Sequence, residues 1–129
     1  MTKPPRGRDL NRVRSHRFGL RAETLAALLL RLKGYRILAR RYRAAGGEID
    51  LIVFRRDVVA FVEVKGRPTL DEALSAIAAQ KRRRISRAAR AWLAHNGWAA
   101  TRVLRGDAVY VAPWRWPQHR VAAVPLDLD

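Results

Sequence analysis

Alternation of apolar and polar residues in the middle of the chain predicts three consecutive β-strands. The segments Glu48–Phe54 and Val58–Lys65 are rich in β-branched and aromatic residues, and the polar residues Arg55–Asp57 separate them. This pattern is typical of a β-hairpin. A third strand, Tyr35–Tyr42, precedes the hairpin and joins it through the turn Ala45–Gly47. The three strands are therefore predicted to form an antiparallel meander.

Two segments with helical periodicity flank this meander. Apolar residues recur every three or four positions in Phe18–Lys33, and Gly34 can adopt the left-handed conformation that ends a helix. A second helical pattern runs from Leu74 to Trp92 and ends near Asn96–Gly97. For residues 69–80 the sequence leaves two alternatives open, a loop and a separate short helix.

The C-terminal third predicts a further strand over Thr101–Ala112, with a bulge at Gly106, and a short edge strand over His119–Val124. Trp114 and Trp116 either pin this segment onto the core or stack on nucleic-acid bases. The predicted fold is a single α/β domain over residues 18–129, with a mixed sheet flanked by helices. The N-terminal arm of residues 1–17 holds six Lys or Arg and one acid, so we expect it to be disordered.

Acidic residues within the hairpin are the main chemical signal. Asp50 lies in one strand and Glu63 in the next, and each is surrounded by apolar residues. Because strand side chains alternate between faces, Glu48 shares a face with Asp50, and Lys65 shares a face with Glu63. Carboxylates in apolar surroundings lose hydration and repel each other unless a cation compensates. Two interpretations remain, a divalent metal site beside a lysine and a structural ion-pair network.

The charge of the chain indicates a polyanionic partner. The 129 residues include 27 Lys and Arg against 11 Asp and Glu, for a net charge of +16. The simplest partner for such a surface is a nucleic-acid backbone, although a basic structural adaptor is also compatible. The second helix carries Arg82–Arg84, a predicted phosphate-binding face. Lys81 projects from the apolar stripe of that helix, either as a lysine at the rim of the core or as a second cation for the carboxylates.

Other classes of protein are excluded by what the chain lacks. There is no cysteine, which excludes disulfides, zinc–thiolate sites and thiol nucleophiles. No apolar run approaches the roughly 20 residues that a membrane helix needs, and the N-terminus has no apolar secretion signal. We therefore expect a cytoplasmic protein that does not span the membrane.

The order of elements and the sequence motifs resemble those of the PD-(D/E)XK nuclease superfamily. Within it, the chain resembles the YraN-like family of small bacterial proteins, which are akin to archaeal Holliday-junction resolvases. The matching segments are Gly19–Glu23, Gly47–Ile52, Phe61–Arg67 and, in the basic helix, Lys81. The resemblance implies a restriction-endonuclease-like core and a metal-dependent nuclease that acts on DNA. Two questions stay open: whether the protein is a homodimer, and whether it is a nucleic-acid-binding module without catalysis.

The resemblance also implies roles for individual residues. Asp50 and Glu63 would ligate Mg²⁺ or Mn²⁺, which prefer oxygen ligands, and the carbonyl of Val64 would complete the shell. Lys65 would position or activate the attacking water. Glu23 would be an auxiliary acid, although a first-turn acid that complements the helix dipole is the alternative. The residues expected to contact DNA are Lys81, Arg82, Arg83, Arg84 and Arg67.

Overall fold

A computed structural model describes residues 21–66, 75–112 and 114–129, with the main chain only for residues 75–79. The predicted basic arm of residues 1–17 and the predicted DNA contact Arg67 lie outside these ranges, as do residues 69–74.

Five strands form one open mixed sheet in the order β1-β2-β3-β4-β5. Their bounds are β1 Arg36–Ala44, β2 Gly47–Arg55, β3 Val58–Lys65, β4 Val103–Tyr110 and β5 Gln118–Arg120. The first three strands are antiparallel neighbours, which confirms the predicted meander. Strand β4 is parallel to β3, and β5 is antiparallel to β4. The parallel step requires a long crossover connection, which contains a helix.

One helix covers each face of the sheet. Helix α1 spans residues 21–32, helix α2 spans Ser75–His95, and a 3-10 helix follows at Gly97–Thr101. One core cluster joins Ala26 and Leu30 of α1 to Leu51 and Val62 of the sheet. The other cluster joins α2 to the opposite face, through Ile85, Ala88, Trp92, Ile52 and Phe61. The fold is the α/β arrangement expected for a restriction-endonuclease-like core.

Most predicted elements are found where the sequence pattern put them. Strand β3 has the predicted bounds, and β2 extends one residue past each predicted end. Strand β1 begins one residue later and ends two residues later than predicted. Gly34, two residues after the end of α1, has a φ of +92°, as expected for the left-handed residue at the end of a helix. Strand β4 is shorter than predicted because Thr101 belongs to the 3-10 helix. Strand β5 ends at Arg120, four residues before its predicted end at Val124. Ala122, just beyond it, has a φ of +56°, which is not a strand conformation.

The predicted bulge at Gly106 is wrong. Strand β4 pairs with β3 without a register shift from Val103 to Tyr110. A Cβ atom at Gly106 would instead lie 2.1 Å from the carbonyl oxygen of Val124. The Val124 N–H donates to the Gly106 carbonyl at 3.0 Å. Glycine is needed here because the C-terminal segment crosses β4 in backbone contact.

The tryptophans of the C-terminal segment do not hold it on the core. Trp114 and Trp116 are exposed, so the interpretation in which they pin the segment is wrong. Val124, Leu126 and Leu128 pack into the α2 cluster instead. The attachment of the C-terminus therefore depends on aliphatic side chains and on the Gly106 contact.

Helix α2 lies directly against the backbone of β2. A Cβ atom at Gly47 would be 1.9 Å from the carbonyl oxygen of Arg84 and 3.0 Å from the amide nitrogen of Ala88. A helix can approach a strand this closely only where the strand has no side chain. Gly47 thereby determines how close the N-terminal half of α2, which carries Lys81, sits to the sheet.

Gly47→Ala should therefore destabilise the protein. The added methyl group meets helix backbone and not a flexible side chain, so we expect a loss of about 1–3 kcal/mol, in the range of overpacking substitutions. Gly97→Ala is the matched control, because nothing lies within 4 Å of a Cβ atom at that position. Urea unfolding measures both variants. Equal stability of the two would contradict the direct contact between α2 and β2.

Candidate active site

Asp50 is held in place by the backbone of the neighbouring strand. The ladder between β2 and β3 runs from Arg55 paired with Val58 to Leu51 paired with Val62. Beyond it, the side chain of Asp50 takes part in the pairing, because its Oδ2 accepts the N–H of Val64 at 2.8 Å. The carboxylate of Asp50 is thus oriented by a main-chain donor, with its second oxygen left for another partner.

The carbonyl of Val64 points to the same side as Asp50. In a β-strand, the N–H and C=O of one residue face the same neighbouring strand, and successive residues alternate. The Val64 N–H faces β2, whereas the Lys65 carbonyl faces β4, where it accepts the Val111 N–H at 2.8 Å. The Val64 carbonyl therefore faces β2 and Asp50. This orientation suits its predicted role as a ligand, which stays a prediction.

Glu63 is buried and touches a cation from α2. Its residue is only 6% exposed, and its Oε1 forms an ion pair with the Nζ of Lys81. Within the described part of the chain, this buried oxygen accepts no hydrogen bond of regular geometry. The side chain of Lys81 is 55% exposed, so its stem lies at the rim while its ammonium group reaches the carboxylate. Of the two interpretations of Lys81, the structure favours the cation directed at the carboxylates.

The two carboxylates line a small cavity between the sheet and α2. It has a volume of about 70 Å³ and is lined by Glu48, Asp50, Glu63, Lys81, Arg84 and Ile85. About 10–15 Å³ of such space holds one water molecule, so a cation with a few waters fits. Glu48 is more exposed than Glu63 and pairs with Arg43 at 3.3 Å. The cavity therefore combines three acids with two cations.

The environment of Asp50 raises its pKa to about 6. Burial is the largest cause, because it penalises the charged form, and the nearby negative charges of Glu63 and Glu48 act in the same direction. The hydrogen bond from Val64 and the charge of Lys81 lower the pKa, without cancelling these effects. Asp50 thus carries its charge at neutral pH at a cost that an additional cation would relieve.

The donor atoms at this cavity suit a hydrated Mg²⁺ or Mn²⁺ ion. Among the described residues, no group of three or more Asp, Glu or His side chains is arranged around a common point. Mg²⁺ does not need such a cage, because it keeps several waters and is commonly held by one or two carboxylates together with substrate phosphates. Asp50, Glu63 and the Val64 carbonyl make a set of that kind. The strongest indication of a ligand is the buried Glu63 Oε1, which has only the half-exposed Lys81 ammonium as a partner among the described residues and no hydrogen bond of regular geometry.

Two predicted site residues lie apart from this cavity. Glu23 is on α1, on the other face of the sheet, where its Oε2 is 2.9 Å from Arg41 Nε and its Oε1 is 3.4 Å from Arg40 Nε. The Lys65 ammonium lies 5.6 Å from the centroid of the Tyr110 ring. Neither residue lines the cavity. Their catalytic roles stay predictions.

The predicted phosphate-binding arginines are exposed on α2. Arg84 lines the carboxylate cavity, whereas Arg82 and Arg83 face away from it and line a different cavity. The three arginines of the predicted phosphate-binding face therefore do not lie together, because one of them lies at the carboxylate cavity and two lie at the other cavity.

Sequence reasoning missed a buried polar network around Asp107. This carboxylate accepts two hydrogen bonds from Arg105, both at 2.8 Å, and one from the Ala122 N–H at 3.0 Å, and lies 2.7 Å from His119 Nε2. Burial would raise the pKa of Asp107, but these hydrogen bonds outweigh it and lower the pKa to about 2. Arg105 also donates to the Tyr35 hydroxyl at 2.7 Å. The only signal in the sequence was a lone acid in an apolar strand.

The fold and the acidic pair on adjacent strands define a protein of restriction-endonuclease-like architecture. Residues 22–111 match the family described as "Uncharacterised protein family UPF0102". A UPF0102 protein of Methylocella silvestris is 64% identical over 109 residues, which cover 84% of this chain and 88% of that protein. Another, of Methylorubrum extorquens, is 62% identical over 125 residues, which cover 97% and 98%. The chain belongs to the UPF0102 family, the YraN-like group of the PD-(D/E)XK superfamily.

The sequence predicts no helix that spans a membrane. Within the described ranges, none of the helices has the length and hydrophobicity needed to cross a bilayer.

Asp50→Asn should stabilise the protein in a pH-dependent way. Because the folded pKa of about 6 exceeds the ordinary 3.8, stability falls as pH rises from about 4 to 6, and the full penalty persists above pH 6. Asparagine removes the charge and can still accept the Val64 N–H. We expect a gain on the order of 2 kcal/mol at pH 8 and little change at pH 4. Thermal unfolding at both values measures this.

The matched control is Asp57→Asn, in the turn after β2, where the carboxylate is exposed and pairs with Arg102. It should give no gain that grows with pH. Loss of stability on Asp50→Asn at pH 8 would identify Asp50 as a member of a structural ion pair.

Proposed function

We propose that this protein is a nuclease that hydrolyses phosphodiester bonds in DNA with the help of Mg²⁺ or Mn²⁺. The observation that carries the proposal is the convergence of half-buried Asp50 and buried Glu63 on one small cavity, where Lys81 is the one cation in contact with Glu63 Oε1 among the described residues. Membership of the PD-(D/E)XK superfamily supports the same chemistry at the level of fold.

Asp50 and Glu63 would both act as ligands of the ion at this cavity. A bound divalent ion supplies a water of lowered pKa and stabilises charge on phosphoryl oxygens. Asp50 would offer its free Oδ1 in an orientation held by the Val64 N–H, and Glu63 would offer its buried Oε1. Both groups are preorganised by backbone contacts or burial, so little reorganisation is needed when the ion and the substrate bind.

Lys65 is the proposed catalytic cation. It lies at the end of β3, two residues after Glu63, and its ammonium is 5.6 Å from the centre of the Tyr110 ring. The ammonium thus lies over the Tyr110 ring, beside the end of β3. From there Lys65 would orient the attacking water or offset the charge that develops on the phosphate.

Lys81 is proposed to compensate the charge of Glu63 until a metal ion arrives. Its ammonium contacts the same Oε1 atom that the ion would take. Because an ammonium and a divalent ion at the same oxygen would repel each other, Lys81 would leave Glu63 when an ion binds. Since the Lys81 side chain is half exposed, it can turn outward. There it would meet the phosphates of bound DNA.

A second candidate function is supported by the same contact. With Lys81 on Glu63, the pair is partly neutralised without any metal. A nucleic-acid-binding module that retains the fold but does not cleave would need no metal ion to neutralise these carboxylates. The net charge of +16 suits both functions.

Cleavage assays on linear, single-stranded, flapped and four-way DNA, each with Mg²⁺ and Mn²⁺, separate the two candidates. The wild type should cut at least one substrate. Lys65→Ala should cut about a hundredfold more slowly or worse, which is the usual effect of losing one preorganised charge-stabilising group. Its DNA affinity should stay within a few-fold, because one cation among 27 is lost. Arg36→Ala, an exposed cation at the start of β1, is the control and should cut normally. If the wild type cuts no substrate with either ion, the nuclease proposal is wrong and the nucleic-acid-binding module is the remaining candidate.

Lys81→Met should strengthen Mn²⁺ binding. Because the variant removes the competing ammonium, we expect Kd to fall by about tenfold or more, equivalent to about 1.4 kcal/mol. Arg84→Met removes the same charge from the lining of the same cavity, but Arg84 has no recorded ion pair with Glu63 in the described part of the chain. Its effect should stay within about threefold, as expected for a screened charge without contact. Calorimetric titration measures both. Weaker binding by Lys81→Met, or equal effects, would show that Lys81 does not occupy the ion's position.

A further inference from the structure

A second cluster of cations lies on the side of α2 that is turned away from the sheet. Its members line a cavity of about 500 Å³ together with Ser86 and the C-terminal residues 125–127; they are Arg82, Arg83, Arg87 and Arg90. With 3.6 residues per turn, Arg83, Arg87 and Arg90 lie on the side opposite Ile85 and Trp92, which pack on the sheet, and Arg82 lies on the flank of the helix. The cavity is therefore separate from the carboxylate cavity, which it shares no residue with.

The C-terminal segment forms a fixed wall of this cavity. The Asp127 N–H donates to Ser86 Oγ at 3.0 Å, and Ser86 is buried. Arg90 Nη1 donates to the Asp127 carbonyl at 2.6 Å. Leu126 and Leu128 anchor the same segment in the α2 core cluster. Polar contacts and apolar packing together hold the wall against the helix.

The positive charge in this cavity is not neutralised by the described residues. Four arginines line the cavity together with a single acidic residue, Asp127. The contact of Arg90 is with a backbone carbonyl, and the described part of the chain records no ion pair for any of the four arginines. Converging guanidinium groups repel one another unless an anion binds between them. Arginine forks match phosphate oxygens in a bidentate geometry, so phosphate is the best-fitting anion.

We propose that this arginine cavity binds a backbone phosphate of DNA outside the position that is cut. The identity of the polymer rests on the proposed function, whereas the preference for phosphate follows from the cavity. An α-helix with its side chains is about 10–12 Å wide. DNA that reaches both sides of α2 would therefore be held at two points, one at the carboxylate pair and one at the arginine cavity. Asp127 lines the cavity as the one opposing charge and weakens phosphate binding.

Metal-free DNA binding tests this site without depending on cleavage. The test variant is the double substitution Arg83→Gln with Arg87→Gln. The matched control is Arg31→Gln with Arg36→Gln, at exposed positions on α1 and β1. Both double variants lower the net charge equally, from +16 to 16 − 2 = +14. Fluorescence anisotropy with a labelled DNA duplex, in EDTA and over a series of salt concentrations, gives the affinity and its salt dependence.

The cavity variant, Arg83→Gln with Arg87→Gln, should bind DNA at least about tenfold more weakly than the control, Arg31→Gln with Arg36→Gln, at the same salt concentration. Its slope of log K against log salt should be shallower by about 1, as expected for one lost phosphate contact, whereas the slope of the control should be unchanged. Asp127→Asn should bind a few-fold more tightly than the wild type. Millimolar ATP should not displace the duplex from the wild type.

Three results would overturn the proposal. Equal losses in the two double variants would mean that only total charge matters. Displacement of DNA by ATP, or tight ATP binding that only the cavity variant loses, would assign the cavity to free nucleotides. Failure of the wild type to bind DNA would show that DNA is not the ligand of this cavity. The proposed nuclease activity is judged separately: a wild type that binds through the cavity but cuts nothing refutes the nuclease and supports the site.

Discussion

The structure depends on how a buried carboxylate in the central sheet is neutralised. Glu63 lies in β3, between β2 and β4, and the only recorded cation in contact with it among the described residues is Lys81 of α2. Burial of an unpaired carboxylate would cost several kcal/mol, so α2 must come close enough for its lysine to reach. The lack of a side chain at Gly47 allows that approach. The same geometry creates the cavity in which Asp50 and Glu63 meet.

Two aspartates on opposite faces of the sheet have pKa values shifted in opposite directions. Asp107, on the α1 face, is surrounded by fixed donors from Arg105, His119 and the Ala122 N–H, and its pKa is lowered to about 2. Asp50, on the α2 face, has one backbone donor and two acidic neighbours, and its pKa is raised to about 6. The first is a satisfied structural group that ties the C-terminal segment to β4. The second is left incompletely compensated, and such groups cluster at functional sites.

The sequence was most informative where the pattern is local. The bounds of β3, the hairpin with β2 and the pairing of Asp50 with Glu63 on one cavity follow from side-chain alternation over a few residues. The orientation of Lys81 required the seating of α2 on β2, which depends on contact between backbones far apart in the chain. The ion pairs of Glu23 with Arg40 and Arg41 could not be predicted either, because they arise from the packing of α1 against β1. The role of Gly106 depends on a C-terminal segment that has no regular periodicity.

The central claim is that Glu63 exchanges a lysine for a metal ion at one position. A crystal structure of the wild type soaked in Mn²⁺, with anomalous data collected at the manganese edge, tests it most directly. We predict one Mn²⁺ ion between the carboxylates of Asp50 and Glu63, within reach of the Val64 carbonyl, and the Lys81 ammonium moved away from Glu63 Oε1. A structure in which Lys81 remains on Glu63 and no manganese lies at the pair would contradict the account.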